Sequence, residues 1–195
     1  VTIDGTNTVL INGNTSNITN IEKIITGANT DTFTLSNTTG IDTLDAGAGI
    51  DTLELVGTID LSSITLLNFE RIVVPNGQTA TISATNLDNK TMTIELQGSG
   101  SLIVKATALA SDHDFDNITI NKTGTANGTF TLQVDSSVDL RGHDINGVNN
   151  ILDIVKVNSG TVTLSEAQVT SGTVVVNGAG NAVVEVSTSS STDFT

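Results

Sequence analysis

Apolar and polar residues alternate along this chain in short runs, and no window keeps the i, i+3, i+4, i+7 apolar spacing of an amphipathic helix over a useful length. After Pro75 the runs are TATISA (79–84), TMTIEL (91–96), SLIVKA (101–106), NITIN (117–121), TFTLQVD (129–135), LDIVKV (152–157), TVTL (161–164), TVVV (173–176) and AVVEVS (182–187). Val, Ile, Leu and Thr dominate them, and Gly, Asn, Asp and Ser fill the gaps, so each run reads as a strand between turns. Residues 1–25 follow the same habit, with Asp4-Gly5 and Asn12-Gly13 as turn signals. Leu61 to Leu67 is the one stretch that admits a short helical turn. The pattern predicts an all-β chain.

Within it, residues 37–54 hold two nine-residue units in tandem, NTTGIDTLD and AGAGIDTLE. Gly40-Ile41-Asp42-Thr43-Leu44 recurs unchanged as Gly49-Ile50-Asp51-Thr52-Leu53. The Ile-Asp step returns once more at Ile59-Asp60 without its glycines. Upstream, Gly27-Ala28-Asn29-Thr30-Asp31-Thr32-Phe33 reads as a further unit, with Asn29 where glycine is usual. Asn suits that place because it tolerates left-handed backbone better than other non-glycine residues. A nine-residue period with a fixed Gly and a fixed Asp marks a coil of stacked turns and strands. An isolated β-turn also favours Gly and Asp, but one turn does not repeat five residues at an offset of nine.

On these residues the chain resembles the repeats-in-toxin (RTX) family, the haemolysin-type calcium-binding proteins, and more loosely its surface-layer and adhesin members. The resemblance covers residues 26–62. It implies a parallel β-roll in which each turn is built from two nonapeptides and Ca2+ sits between turns stacked on the same side. Asp31, Asp42, Asp51 and Asp60 would then supply carboxylates, with Asp31 beside Asp51 and Asp42 beside Asp60. Gly40, Gly47 and Gly49 would let turn carbonyls face the ion, which takes six to eight hard oxygen ligands. The resemblance further implies export of an unfolded chain through a one-step (type I) channel, a place on a bacterial cell surface, and self-association in a surface lattice. Contact with cell-surface polysaccharide or lipopolysaccharide would then fall to regions outside this chain.

For residues 76–195, strand steps of about 9–12 residues suit a continuing solenoid or an antiparallel sandwich. A solenoid is favoured because the roll (1–75) leaves an end that a further stacked strand would cover.

Composition sharpens this. Aromatic residues make up 3% of the chain, with no Trp and no Tyr, which suits a thin coil of stacked aliphatics better than a thick core. A net charge of −14 argues against nucleic acid, whose phosphates need clustered Lys and Arg. It suits divalent cations instead. No cysteine is present, so there is no disulfide framework. No apolar run approaches the ~18 residues needed to cross a bilayer. The start at Val1, without a leader, suggests a piece of a longer polypeptide.

One more acidic constellation stands out. Asp112, Asp114 and Asp116 alternate around His113 and Phe115; they read either as an additional calcium site, not of the EF-hand type, or as a solvated acidic loop. His113 and His143 each adjoin an Asp, but no H-E-x-x-H or G-x-S-x-G motif frames a catalytic centre. No enzymatic activity is expected. Three classes compete: a calcium-stiffened surface module, an adhesive or carbohydrate-recognising module, and the non-catalytic roll of a secreted enzyme.

Overall fold

The computed structural model describes residues 2–3, 8–11, 23–106, 115, 117–125, 128–141, 153–170, 173–176 and 182–187. Among them nineteen strands form four sheets. Sheet A holds β1 (Thr2–Ile3), β3 (Lys23–Thr26), β5 (Thr43–Asp45) and β8 (Thr65–Leu67). Sheet B holds β2 (Thr8–Ile11), β4 (Thr32–Leu35), β6 (Thr52–Leu55), β9 (Arg71–Val74), β11 (Met92–Gln97) and β13 (Ile118–Thr123). Sheet C holds β7 (Ile59–Leu61), β10 (Thr79–Ser83), β12 (Ser101–Ala106), β14 (Phe130–Val134), β16 (Ile154–Val157) and β18 (Thr173–Val176). Sheet D holds β15 (Val138–Asp139), β17 (Gly160–Ser165) and β19 (Ala182–Ser187).

Every pairing is parallel. The chain returns to the same column after intervals from 19 residues (Thr52 to Arg71) to 28 (Leu102 to Phe130). Parallel neighbours at such spacing, with strands rather than helices as the crossover, make a β-solenoid. The sandwich alternative for residues 76–195 is therefore set aside, because a sandwich needs antiparallel pairs. Sheets B and C run without a break past Pro75, β9 pairing with β11 and β7 with β10.

Alternation decides which side chains point inward. Phe33, Leu53, Ile72, Ile94 and Ile120 stack as one column of sheet B. Leu61, Ile82, Val104, Leu132 and Val155 do so in sheet C. All ten are almost fully buried, and one continuous core includes them. Polar residues between them face outward, as period-two strands require. Two of the phenylalanines, Phe33 and Phe69, meet edge to face, centroids 5.2 Å apart.

Three local features depart from the expectations above. Leu61 to Leu67 is not helical. Leu61 ends β7, a turn follows, and β8 begins at Thr65, because Ile64 and Leu66 both turn inward at strand spacing. Sheet A then stops at β8. A single 3₁₀ turn (Ala84–Asn86) takes the next strand's place, and the buried Asn86 amide stands in for its backbone. Its Oδ1 accepts from Leu66 N–H at 3.0 Å and its Nδ2 donates to the Ile64 carbonyl at 2.7 Å. Finally, a one-turn helix, α1 (Glu166–Thr170), interrupts the strands. Ser165 and Gln168 cap it reciprocally: Gln168 N–H donates to Ser165 Oγ and Ser165 N–H to Gln168 Oε1.

Candidate cation site

The corner between sheets A and B carries the glycine-rich turns. Lys23 pairs with Thr43 before it and Thr32 with Thr52 after it, both 20 residues apart, so turns 27–31 and 47–51 are congruent. Ala48 N–H donates to the Gly27 carbonyl at 2.9 Å, and Thr26 Oγ1 donates to the Ala46 carbonyl at 2.7 Å. Gly47 has φ +81°, and a Cβ there would stand 2.0 Å from the Gly27 oxygen. A Cβ on Gly49 would lie 2.5 Å from the Asn29 oxygen and 3.1 Å from Asp51 Oδ1. Only glycine lets the backbones close to this distance.

Asp31 and Asp51 complete the two turns and stack one above the other, as the nonapeptide alignment expects. Both are fully buried. Asp31 N–H donates to Asp51 Oδ1 at 2.6 Å, and Thr52 N–H donates to the Asp31 carbonyl at 2.9 Å. The pattern then extends one residue type beyond the repeats. Asp51 N–H donates to Glu70 Oε2 at 2.7 Å. In each case a carboxylate accepts the amide one turn earlier in the column. Glu70 was not anticipated, because its turn (Asn68-Phe69-Glu70) lacks glycine. The available signal was an acid directly before a sheet B strand, as in Asp31-TFTL, Asp51-TLEL and Glu70-RIVV.

The column is electrostatically uncomfortable. Burial pushes the Asp51 carboxyl above the ordinary carboxylate range, the Asp31 N–H offsets part of this, and the negative charges of Glu70 and Asp31 push it further up. Asp51 Oδ2 is sealed from solvent and accepts no hydrogen bond. Like charges on adjacent turns repel by on the order of 1–4 kcal/mol per pair at intermediate dielectric.

A hard divalent cation fits this donor set. The atoms on offer are oxygens, two carboxylates lie on adjacent turns, and the glycine cradle brings turn carbonyls close. Among the described residues no three acidic or histidine side chains converge on one point. An ion held by Asp31 and Asp51 would therefore complete its shell with carbonyls and water, as Ca2+ commonly does.

The other expected ligands fall elsewhere. Asp42 is exposed; its carbonyl accepts from Thr65 N–H at 2.8 Å on the approach to sheet A. Gly40, φ +77°, shapes the turn before it. Asp60 sits on the outer face of sheet C opposite Thr81, with Lys105 Nζ 3.1 Å from Oδ2 and Ser62 N–H on Oδ1. The expected neighbourhood of Asp42 and Asp60 is thus corrected. β7 adds a third face before the chain returns to sheet A, so Asp60 lies on sheet C while Asp42 lies in the loop before β5. Asp112, Asp114 and Asp116 lie outside the described residues, as do His113 and His143. No family model, curated protein or solved structure matches the chain.

Proposed function

We propose that this chain is a structural module of a bacterial cell surface, a β-solenoid that Ca2+ stiffens at the corner between sheets A and B. One observation carries the reading: Asp31 and Asp51 are buried on adjacent turns inside a glycine cradle, and Asp51 keeps an unsatisfied carboxylate oxygen. Burying such a group without a counter-charge is unfavourable by several kcal/mol, and a cation between the turns would reverse the sign. The RTX-like units supply the second support, since the two turns that stack belong to two of them, the degenerate unit at 27–33 and the well-matched one at 46–54.

Folding would then follow calcium supply. Where the ion is scarce, the acidic column weakens the coil and the chain stays open enough for export. Outside the cell, an ion that binds only the folded form draws the equilibrium over. Self-association in a surface lattice belongs to the same proposal; long parallel ladders and an acidic exterior give cations surfaces to bridge. No helix among the described residues is long and apolar enough to cross a membrane.

The test is thermal unfolding in excess chelator, in millimolar calcium and in millimolar magnesium. Calcium raises the melting temperature by several degrees and magnesium by much less, because magnesium demands octahedral geometry and sheds water reluctantly. A melting curve that ignores all three conditions removes calcium from the reading and leaves a solenoid whose repeats are architecture alone.

A further inference from the structure

A carboxylate that accepts the amide one turn earlier recurs far from the glycine-rich corner. The acidic column ends at Glu70, on a turn three residues shorter than 46–51. In sheet C, Asp153 stands directly before β16, and its Oδ2 accepts from Phe130 N–H at 2.6 Å. Asp51 Oδ1 takes the Asp31 N–H at the same distance, 2.6 Å. The two carboxylates differ in what else they meet. Asp51 Oδ2 is sealed and accepts no hydrogen bond, whereas both oxygens of Asp153 hold Lys122 Nζ, at 2.8 and 2.7 Å.

Lys122 comes to Asp153 from an inward place in the coil. In sheet B it continues the register column of Val74 and Leu96, both fully buried, and β13 is the last strand of that sheet. Alternation thus sets a lysine where the two preceding rungs carry aliphatics. Its side chain is only 23% exposed. An ammonium withdrawn from water is unfavourable unless a counter-charge and hydrogen bonds meet it. Asp153 supplies both, and it also ties down the Phe130 amide.

The distribution of charge follows the same division. Before Arg71 the chain has nine acidic residues and one basic one; from Arg71 onward it has twelve and six. Lys23, the single early base, pairs with Asp45 at 3.5 Å. The side-chain charges that act on Asp51 are those of Glu70 and Asp31, both negative. Past that corner Arg71, Lys105, Lys122 and Arg141 pair with Glu95, Asp60, Asp153 and Asp139.

We propose that Lys122 is a built-in counter-ion and that the solenoid is divided accordingly. Its acidic first coils close around an external cation, while those that carry Phe130 and Asp153 hold without one. The inference rests on the calcium reading for the first coils. It makes calcium withdrawal a partial event, which opens the corner of sheets A and B and leaves the later rungs of sheet C in register. The openness that calcium scarcity confers then belongs to the acidic coils.

Hydrogen exchange of the full chain, in millimolar calcium and in excess chelator, tests the division at amides of both parts. Removing calcium speeds exchange about tenfold or more at Ala48, Thr52 and Val56, and less than about twofold at Leu102, Phe130 and Asn158. Equal acceleration in both sets overturns the division and leaves calcium binding intact. No acceleration in either set removes the calcium reading and the division with it. Lys122→Met speeds exchange at Phe130 severalfold in calcium and in chelator alike. Lys122→Arg keeps most of the protection, because a guanidinium also pairs with a carboxylate. Phe130 protection that is indifferent to Lys122→Met, or that only calcium supports, overturns the built-in counter-ion.

Discussion

Asp42 and Asp51 hold the same place in one repeated pentapeptide, and the coil gives them opposite surroundings: Asp51 is sealed while Asp42 is exposed. Successive nonapeptides fall on alternate faces, so one lands at the glycine-rich corner and the other in a loop.

That difference predicts opposite mutant behaviour. Asp51→Asn exchanges a buried charge for a buried amide, the smaller of two penalties. In chelator the variant melts higher than the parent, by on the order of 1 kcal/mol. In calcium it melts lower, since the ion has lost a carboxylate. Asp42→Asn changes stability by no more than about 0.5 kcal/mol in either condition. Calorimetry of the two variants with and without calcium checks the crossover, and an Asp51→Asn curve that never crosses the parent's removes Asp51 from the cation site.

Gly40 and Gly47 offer a second contrast. Both have positive φ, +77° and +81°, but a Cβ at Gly40 meets nothing within 4 Å and one at Gly47 meets the Gly27 oxygen. Gly40→Ala therefore loses about 1–2 kcal/mol from backbone strain alone. Gly47→Ala loses that and also pushes the stacked turns apart, so its calcium response falls as well. Urea denaturation and a calcium titration of both variants separate strain from spacing.

Asn86→Ala leaves the Leu66 N–H and the Ile64 carbonyl buried and unpaired. Each such group costs about 1–3 kcal/mol. Asn86→Asp keeps an acceptor for Leu66 but sets a carboxylate against the Ile64 carbonyl, so it does not rescue. Hydrogen exchange at Leu66 reads the effect directly: protection is lost in Asn86→Ala and partly kept in Asn86→Asp, whose stability nonetheless falls.

Acid should weaken the solenoid through Glu95. The Arg71 guanidinium hydrogen-bonded to it, with help from Gln97, holds its carboxyl below the ordinary value of 4.5. A depressed carboxylate gives stability that is complete above 4.5 and lost as pH falls through its lower folded value. The Arg71 side chain is half exposed, so the loss is under about 1 kcal/mol. Asp51 has the opposite sign. Its raised carboxyl favours the protonated folded state, so without a cation stability falls as pH rises from 3.8 through its folded value. Arg71→Met should flatten the first dependence and leave the second in place when chelated samples are melted across pH 3–7.

The fold was legible because alternation and turn residues agree along the chain; β10 to β14 coincide with apolar runs that need no other context. The stacking of Asp31 on Asp51 was legible from glycine spacing, which is a backbone requirement and so leaves its mark in sequence. Two things were not. The third face, β7, has only three residues, Ile-Asp-Leu, and its existence depends on partners 21 residues away. Glu70 enters the column because a turn is shortened by three residues, and a shortened turn erases the period that would have flagged it. The end of sheet A at β8 is likewise a long-range event, set by the Asn86 amide 20 residues beyond its partner Leu66.

Asn86 has a consequence beyond its two hydrogen bonds. A parallel sheet that simply stopped would expose a row of unanswered peptide groups, the kind of edge that recruits strands from other molecules. By imitating one peptide unit with a side chain, Asn86 lets the coil drop a face partway along its length while blunting that edge. The solenoid is thereby free to redraw its cross-section between β8 and β11, and a variant lacking this amide should be not only less stable but stickier.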